Sequence, residues 1–318
     1  MTAPTIPVLM LHGICDPVPD YATFAAGRTC LLEADDFRSL VKWCARNFDV
    51  IKGEHLDAIY SGAMMVRRPL LITFDDALAS VIDFGVPVLQ EHQVSALVFV
   101  TTDWTESGRA PFVFRLERRL YDAPPASITL HAGSTAVPID IGSRSALPRA
   151  LDTLWATLFA KRISPTHLRP DQVLLDGQPM TDTDASTDRV FWGPASWAEL
   201  ARAAAGRSIE IGSHLRSHRP LPWLDAEAQA DELSGSRAVL QQNLGVDASI
   251  CSYPHGMVDD RGQQIAARSY RWSFTNSGGI VTAGSPRTFA PRLHVPNKLW
   301  SRVKLQIRWP RLMRKVGQ

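Results

Sequence analysis

The sequence predicts an α/β protein built on a parallel sheet wrapped by helices. Three observations carry this. Apolar runs such as Val8-Leu9-Met10-Leu11, Leu70-Leu71-Ile72 and Leu97-Val98-Phe99-Val100 show no polar alternation, the pattern of strands buried on both faces. Segments with apolar residues three and four apart alternate with these runs, as strand–helix–strand crossovers require. Two of the runs lead directly into His12 or into Asp75-Asp76, and in barrels of alternating strands and helices the chemistry sits where strands end.

In order, Pro7 to His12 reads as a buried strand, followed by a Gly/Pro/Asp loop to about Thr29. Ala34 to Phe48 reads as a helix on the spacing of Phe37, Leu40, Val41 and Cys44. Phe48 to Ile51 is a short strand, Leu70 to Phe74 the next strand, Ala77 to His92 a helix and Ser95 to Val100 a strand. From about Arg109 to Val190 the rhythm breaks. Ser127–Leu130 and Ala136–Ile141 suit a hairpin, Leu147–Ala160 a helix, and Asp171–Asp188 is turn-rich. This stretch reads as an insertion within a single domain covering residues 1–318. The rhythm resumes with a helix over Ser196–Ala205, a strand over Ser208–Gly212 and one long helix over Ala226–Leu244. A strand at Ser249–Ser252, a helix at Asp260–Tyr270 and strands at Trp272–Thr275 and Phe289–Val295 complete it.

Composition narrows the function classes. Over 318 residues, 45% hydrophobic and 21% charged content suits a globular protein, and a net charge of +2 gives no footprint for nucleic acid. The four cysteines form no CxxC pair, which argues against a zinc knuckle or a dithiol redox site. The N-terminal residues carry no basic region before an apolar run, and no stretch approaches ~20 apolar residues. The expectation is a cytoplasmic protein. The segment 298–318 interleaves Lys298, Arg302, Lys304, Arg308, Arg311, Arg314 and Lys315 with Leu299, Trp300, Val303, Ile307, Trp309 and Leu312. It suits either a packed terminal element with solvated charges or a peripheral contact with an anionic membrane, and Pro310 interrupts any continuous helix there.

Two adjacent carboxylates at the end of a buried strand are costly unless compensated. Asp75 and Asp76 either cap the following helix or face a cation. After the strand that ends near Ile211 come His214 and His218. Four residues apart, they lie on one face of a helical turn and can reach one metal ion. Two imidazoles and one carboxylate leave open positions on the ion, as catalytic zinc sites do. A third strand ends in Tyr253-Pro254-His255-Gly256, where a fixed turn can present backbone N–H groups to an oxyanion.

Thr73-Phe74-Asp75-Asp76, then Ser213-His214-Leu215-Arg216-Ser217-His218, then Tyr253-Pro254-His255-Gly256, in this order, resemble the polysaccharide deacetylase family, the NodB-homology group of carbohydrate esterases (family 4). The resemblance implies a distorted (β/α)7 barrel. It implies that Asp76, His214 and His218 bind a divalent metal, usually zinc, and that Asp75 is the general base toward the attacking water. It also implies that the His255 N–H holds the oxyanion, with Tyr253 and Pro254 shaping that wall. The substrate it implies is an N-acetylated amino sugar, which a cytoplasmic setting would make nucleotide-linked, lipid-linked or a short oligosaccharide. Three departures stand out. Ala77 replaces the family's usual Gly. Ser252-Tyr253-Pro254 lacks the Arg that orients the base in many members, and Arg292 is the candidate to replace it. Arg292-Leu293-His294 does not match the spacing of the family's last motif, so the general acid is either His294 or His12. A non-catalytic sugar-binding member of the fold, a hydrolase of a non-sugar amide and a non-haem iron oxygenase are the alternatives. The insertion is expected to overhang the metal, with Trp104, Trp192 or Trp197 lining the groove.

Overall fold

In the computed structural model, residues 5–16, 31–132, 135–141, 143–180 and 192–295 are described. The basic segment 298–318, and with it any membrane contact, lies outside the described residues. Seven parallel strands form a curled sheet: β1 (Val8–Leu11), β2 (Pro69–Phe74), β3 (Ala96–Val100), β4 (Ile209–Ser213), β5 (Ile250–Ser252), β6 (Trp272–Phe274) and β7 (Leu293–His294). Their order across the sheet is β6-β5-β4-β3-β2-β1-β7. The register runs Leu9 with Ile72, Thr73 with Leu97, Val98 with Ile211, Ser213 with Cys251, Cys251 with Ser273 and Leu9 with Leu293. A parallel bridge from Phe274 to Ala290, just ahead of β7, joins the two ends of the sheet. The α/β barrel expectation therefore holds, as a half-barrel drawn together by one bridge.

The lack of alternation is explained by burial. Every residue of β1, β2, β3 and β5 is buried. Inward residues such as Leu71, Leu97, Phe99, Ile250 and Phe274 fill the barrel. Outward ones such as Leu70, Ile72, Val98 and Ile211 meet the helices, including Phe37, Val41 and Cys44 of the helix Ala34–Asn47.

Several local expectations change. The helix placed at Ala77 begins instead at Ala79 and continues as a π-turn (Val81–Gly85) and an α-helix (Val86–Glu91). The long helix over Ala226–Leu244 is divided by a π-turn at Asp231–Gly235. Gly13–Cys15, read as loop, pairs in parallel with Leu31–Glu33.

The insertion has a core of its own. Ser127–Ala132 and Thr135–Asp140 form the expected hairpin, extended by Val173–Leu175 and Gln178–Pro179 into a four-stranded antiparallel sheet. Val173–Leu175 lies in the stretch read as turn-rich, where no strand was expected. Leu147–Ala160 is the expected helix, and Phe112–Asp122 is a second one. Leu116, Leu120, Ile128, Leu130, Leu154 and Leu158 pack between sheet and helices.

Candidate active site

The C-terminal ends of the parallel strands gather on one side of the sheet. Asp75 follows β2 and still donates its N–H to the Leu11 carbonyl of the β1 end (2.9 Å). The chain then turns sharply, with φ 72° at Asp76 and 52° at Ala77. The Gly-to-Ala departure therefore falls where the backbone is left-handed, a conformation costing a non-glycine residue roughly 1–2 kcal/mol. Neither aspartate caps the helix, which starts only at Ala79; the two carboxylates face His214, His218 and Arg292 across the sheet instead.

His214 and His218 follow β4, but not on a helical turn. The segment is irregular, with φ 63° at both Leu215 and His218. The expectation of one helical face is wrong, yet the imidazoles converge. His214 Nε2 lies 3.5 Å and His218 Nε2 3.3 Å from Asp76 Oδ1, and the three ligand atoms all lie within 4.8 Å of one another. His214 Nδ1 donates to the Ser252 carbonyl (2.8 Å), which fixes the tautomer and leaves the Nε2 lone pair free.

The donor set fits a cation. Asp76 Oδ1 is buried with no hydrogen-bond partner among the described residues, a costly state if nothing binds it. Burial, and then the neighbouring Asp75, push the Asp76 carboxyl well above its ordinary range. Burial pushes His214 down, and pushes His218 down further with the help of His255. Neutral imidazoles cannot neutralise Asp76, but they offer it two nitrogen lone pairs as fellow ligands.

Asp75 is held differently. Arg292 grips it with two bonds of 2.7 Å, Nη1 to Oδ1 and Nη2 to Oδ2. The same guanidinium donates to Ser252 Oγ (2.8 Å), Thr73 Oγ1 (3.2 Å) and the Thr275 carbonyl (3.0 Å). Burial alone would raise the Asp75 carboxyl; Arg292, with His214, more than offsets it and holds it below the usual range. Arg292 thus stands where the departure in the third motif demanded a replacement. Ser252, which occupies the motif position of the missing Arg, serves both carboxylate systems: its hydroxyl meets Arg292 and its carbonyl meets His214.

The remaining candidates divide. The His255 N–H has no acceptor among the described residues, and the residue is left-handed (φ 55°). Its ring lies 4.6 Å from that of His218. Pro254 is buried, and Tyr253 is core, its hydroxyl donating to the Thr288 carbonyl (2.9 Å); it supports that wall from behind. His12 lies in the fields of Asp75, His294, Arg292 and His214, and burial pushes it down to about 4. His294 is exposed, at the end of β7.

Of the three tryptophans expected at the groove, Trp104 lies against a metal-ligand candidate, its ring 4.9 Å from that of His218. Trp192 stacks on Phe114 (4.0 Å), and Trp197 donates to Glu106 (2.8 Å). The insertion does reach this region, through a residue the sequence did not single out. Phe159, at the end of the helix Leu147–Ala160, meets the His255 ring edge-on at 5.2 Å and Trp223 at 5.3 Å.

The comparisons with known proteins agree with this geometry. The polysaccharide deacetylase family model matches residues 178–270. That stretch holds His214, His218 and the Tyr253-Pro254-His255-Gly256 turn; the two aspartates join it only through the fold. No curated protein matches the chain. The deacetylase PplD of Streptococcus pyogenes, solved in complex with acetate, has a TM-score of 0.64 at 17% identity, over 96% of this chain and 98% of that one. IcaB from Ammonifex degensii gives 0.59 at 15% identity, over 95% and 96%. A polysaccharide deacetylase from Bacillus cereus gives 0.58 at 16%, over 93% of this chain and 66% of that one. At these identities the likeness to solved structures is one of fold. Together with the family match, it bears out the resemblance to the polysaccharide deacetylases.

Proposed function

We propose that this chain is a metal-dependent carbohydrate N-deacetylase, which hydrolyses the N-acetyl amide of an amino sugar to acetate and the free amine. One observation carries the reading. The His214 and His218 imidazoles converge on a buried oxygen of Asp76, beside a second carboxylate that Arg292 grips with two bonds. A divalent cation at these three ligands, zinc by the usual preference of such a set, would polarise the acetyl carbonyl and acidify water. Asp75 then accepts a proton from the attacking water. The His255 N–H donates to the acetyl oxygen as it gains charge. The C–N bond breaks and the leaving nitrogen takes a proton. His12, whose buried Nδ1 has no hydrogen-bond partner among the described residues and which burial pushes down to about 4, would carry the proton that Asp75 accepted; exposed His294 is the alternative donor.

The substrate in this reading is a nucleotide-linked, lipid-linked or short N-acetylated sugar, handled by a single catalytic domain with residues 109–190 inserted. Phe159 against His255 supports a role for that insertion at the mouth of the site. A cytoplasmic setting, with or without membrane contact through residues 298–318, belongs to the same proposal; fractionation of the tagged protein tests it.

The test of activity is acetate release from N-acetylated oligosaccharides by the metal-stripped protein. Activity should return with Zn2+, vanish with a chelator and stay absent in His214→Ala. Oxygen consumption by the Fe2+-loaded protein without acetate release would favour an oxygenase. Amine release from simple acetamides but from no sugar would move the substrate to non-sugar amides.

A further inference from the structure

The loop that carries His218 is held open from below by one buried carboxylate outside the metal and base set. Glu232 is 1% exposed. Its Oε2 accepts the backbone N–H groups of Arg216 (3.0 Å) and Ser217 (2.9 Å). Its Oε1 accepts the Ser217 hydroxyl and Arg219 Nη2 (3.2 Å) and Nε (3.3 Å). Other backbone groups of the loop are held as well. His214 N–H donates to the Val100 carbonyl (2.8 Å), and Leu215 N–H to Ser213 Oγ (3.1 Å). The carbonyls of Leu215 and Arg216 accept from Thr102 (3.2 Å) and Asp103 (2.9 Å). Without Glu232, two adjacent amides in a loop with no ladder of its own would lose their acceptor.

The loop needs such a clamp. Leu215 and His218 are both left-handed at φ 63°, and strain of this kind persists only where the surroundings over-determine it. Glu232 lies in the π-turn Asp231–Gly235, an irregularity common at functional sites.

We infer that Glu232 is a positioning residue for the metal centre, fixing the backbone from which His218 reaches toward Asp76. This rests on the metal-site reading of Proposed function. Loss of an outer partner of this kind typically weakens metal binding ~10–100-fold. The experiment is a competition titration of the metal-stripped full chain with Zn2+, and the visible spectrum of its Co2+ form. Glu232→Ala should bind Zn2+ ~10–100-fold more weakly and show an altered Co2+ spectrum. Glu232→Gln, which keeps one carbonyl oxygen for the two amides, should recover part of the affinity and serves as the readout if the alanine variant does not fold. Asp231→Ala, which removes one of the two exposed carboxylates that meet the Arg216 side chain, should bind as the parent does. If Glu232→Ala, or in its place Glu232→Gln, folds and binds Zn2+ with unchanged affinity and an unchanged Co2+ spectrum, the inference is overturned while the metal site stands. If the parent protein binds no Zn2+ that His214→Ala abolishes, both readings fall together.

Discussion

Replacing Arg292 by Gln tests the link between the last strand and the base. Arg292 is 1% exposed and Asp75 3%, and the guanidinium makes five contacts, two of them to Asp75. Glutamine has two N–H bonds and no charge, so Asp75 is left buried without its counter-ion. Breaking one partner of a buried pair costs about 3–5 kcal/mol. At roughly 2.1 cal/mol/K of unfolding entropy per residue, a 318-residue chain converts that into a Tm lower by about 5–8 °C. The pH dependence carries the sign. In the parent, Asp75 sits below its ordinary 3.8, so its pairing stabilises the fold above that pH and the contribution is lost as pH falls through the depressed folded value. In the variant the largest opposing charge is gone, so burial raises the folded value. The stability deficit should then be greatest near neutrality and shrink as the solution is acidified. The acid limb of kcat/KM should move to higher pH by the same cause, and Zn2+ affinity should change little because Arg292 contacts no metal ligand. Arg292→Lys, which keeps the charge but not the two-pronged grip, should hold the acid limb nearer the parent's while still losing turnover. Differential scanning calorimetry and pH–rate profiles are the assays. A folded Arg292→Gln variant with an unmoved acid limb and near-parental turnover would refute the idea that Arg292 keeps Asp75 ionised for catalysis.

Three further outcomes are expected. Asp75→Asn should keep Zn2+ and lose acetate release by ~10²–10⁴-fold, the usual share of general base catalysis; near-normal turnover would remove Asp75 from the mechanism. Gly256→Ala should lower kcat by ~10²-fold or more, with metal affinity retained, because the turn is left-handed (φ 68°) and a Cβ would run into the side chain of Asn276 and stand 2.8 Å from its backbone N, displacing the His255 N–H proposed as oxyanion donor; an unchanged kcat in the folded variant would place the oxyanion elsewhere. Phe159→Ala should change the ranking of N-acetylated oligosaccharides by length while leaving Zn2+ affinity intact; an identical ranking would exclude the insertion's rim from recognition.

The sheet was legible because burial on both faces writes itself into sequence. Val8 to Leu11 and Leu97 to Val100 have no polar neighbour to alternate with, and both are strands. The insertion's first helix also had a signal, Phe112, Leu116 and Leu120 at four-residue spacing, but charged residues between them and the broken rhythm around them hid it; its buried face meets the inserted sheet.

The site was legible at its residues and not at its backbone. Spacing of four puts two imidazoles near each other on a helix, and the same proximity arises here on a loop with two left-handed residues. Periodicity cannot distinguish these, since tertiary hydrogen bonds such as those to Glu232 hold the loop. The π-turn that brings Glu232 under Arg216 and Ser217 is invisible for the same reason. Ala226 to Leu244 has good helical composition throughout, and the extra residue in one turn is favoured by what the carboxylate contacts 15 and 16 residues earlier in the chain. Arg292 was reachable by a different logic. A buried carboxylate that must stay ionised needs a cation, the third motif offers a serine, and the last strand carries an arginine. Charge compensation is a constraint on the whole site, so it can be argued from residue identities before any geometry is known. Backbone support is a constraint on one loop's hydrogen bonds, and those partners have no distinctive residue type. An electrostatic requirement at the centre of this site could therefore be traced to Arg292 from the other end of the chain, whereas the clamp beneath His218 had to be found in the structure.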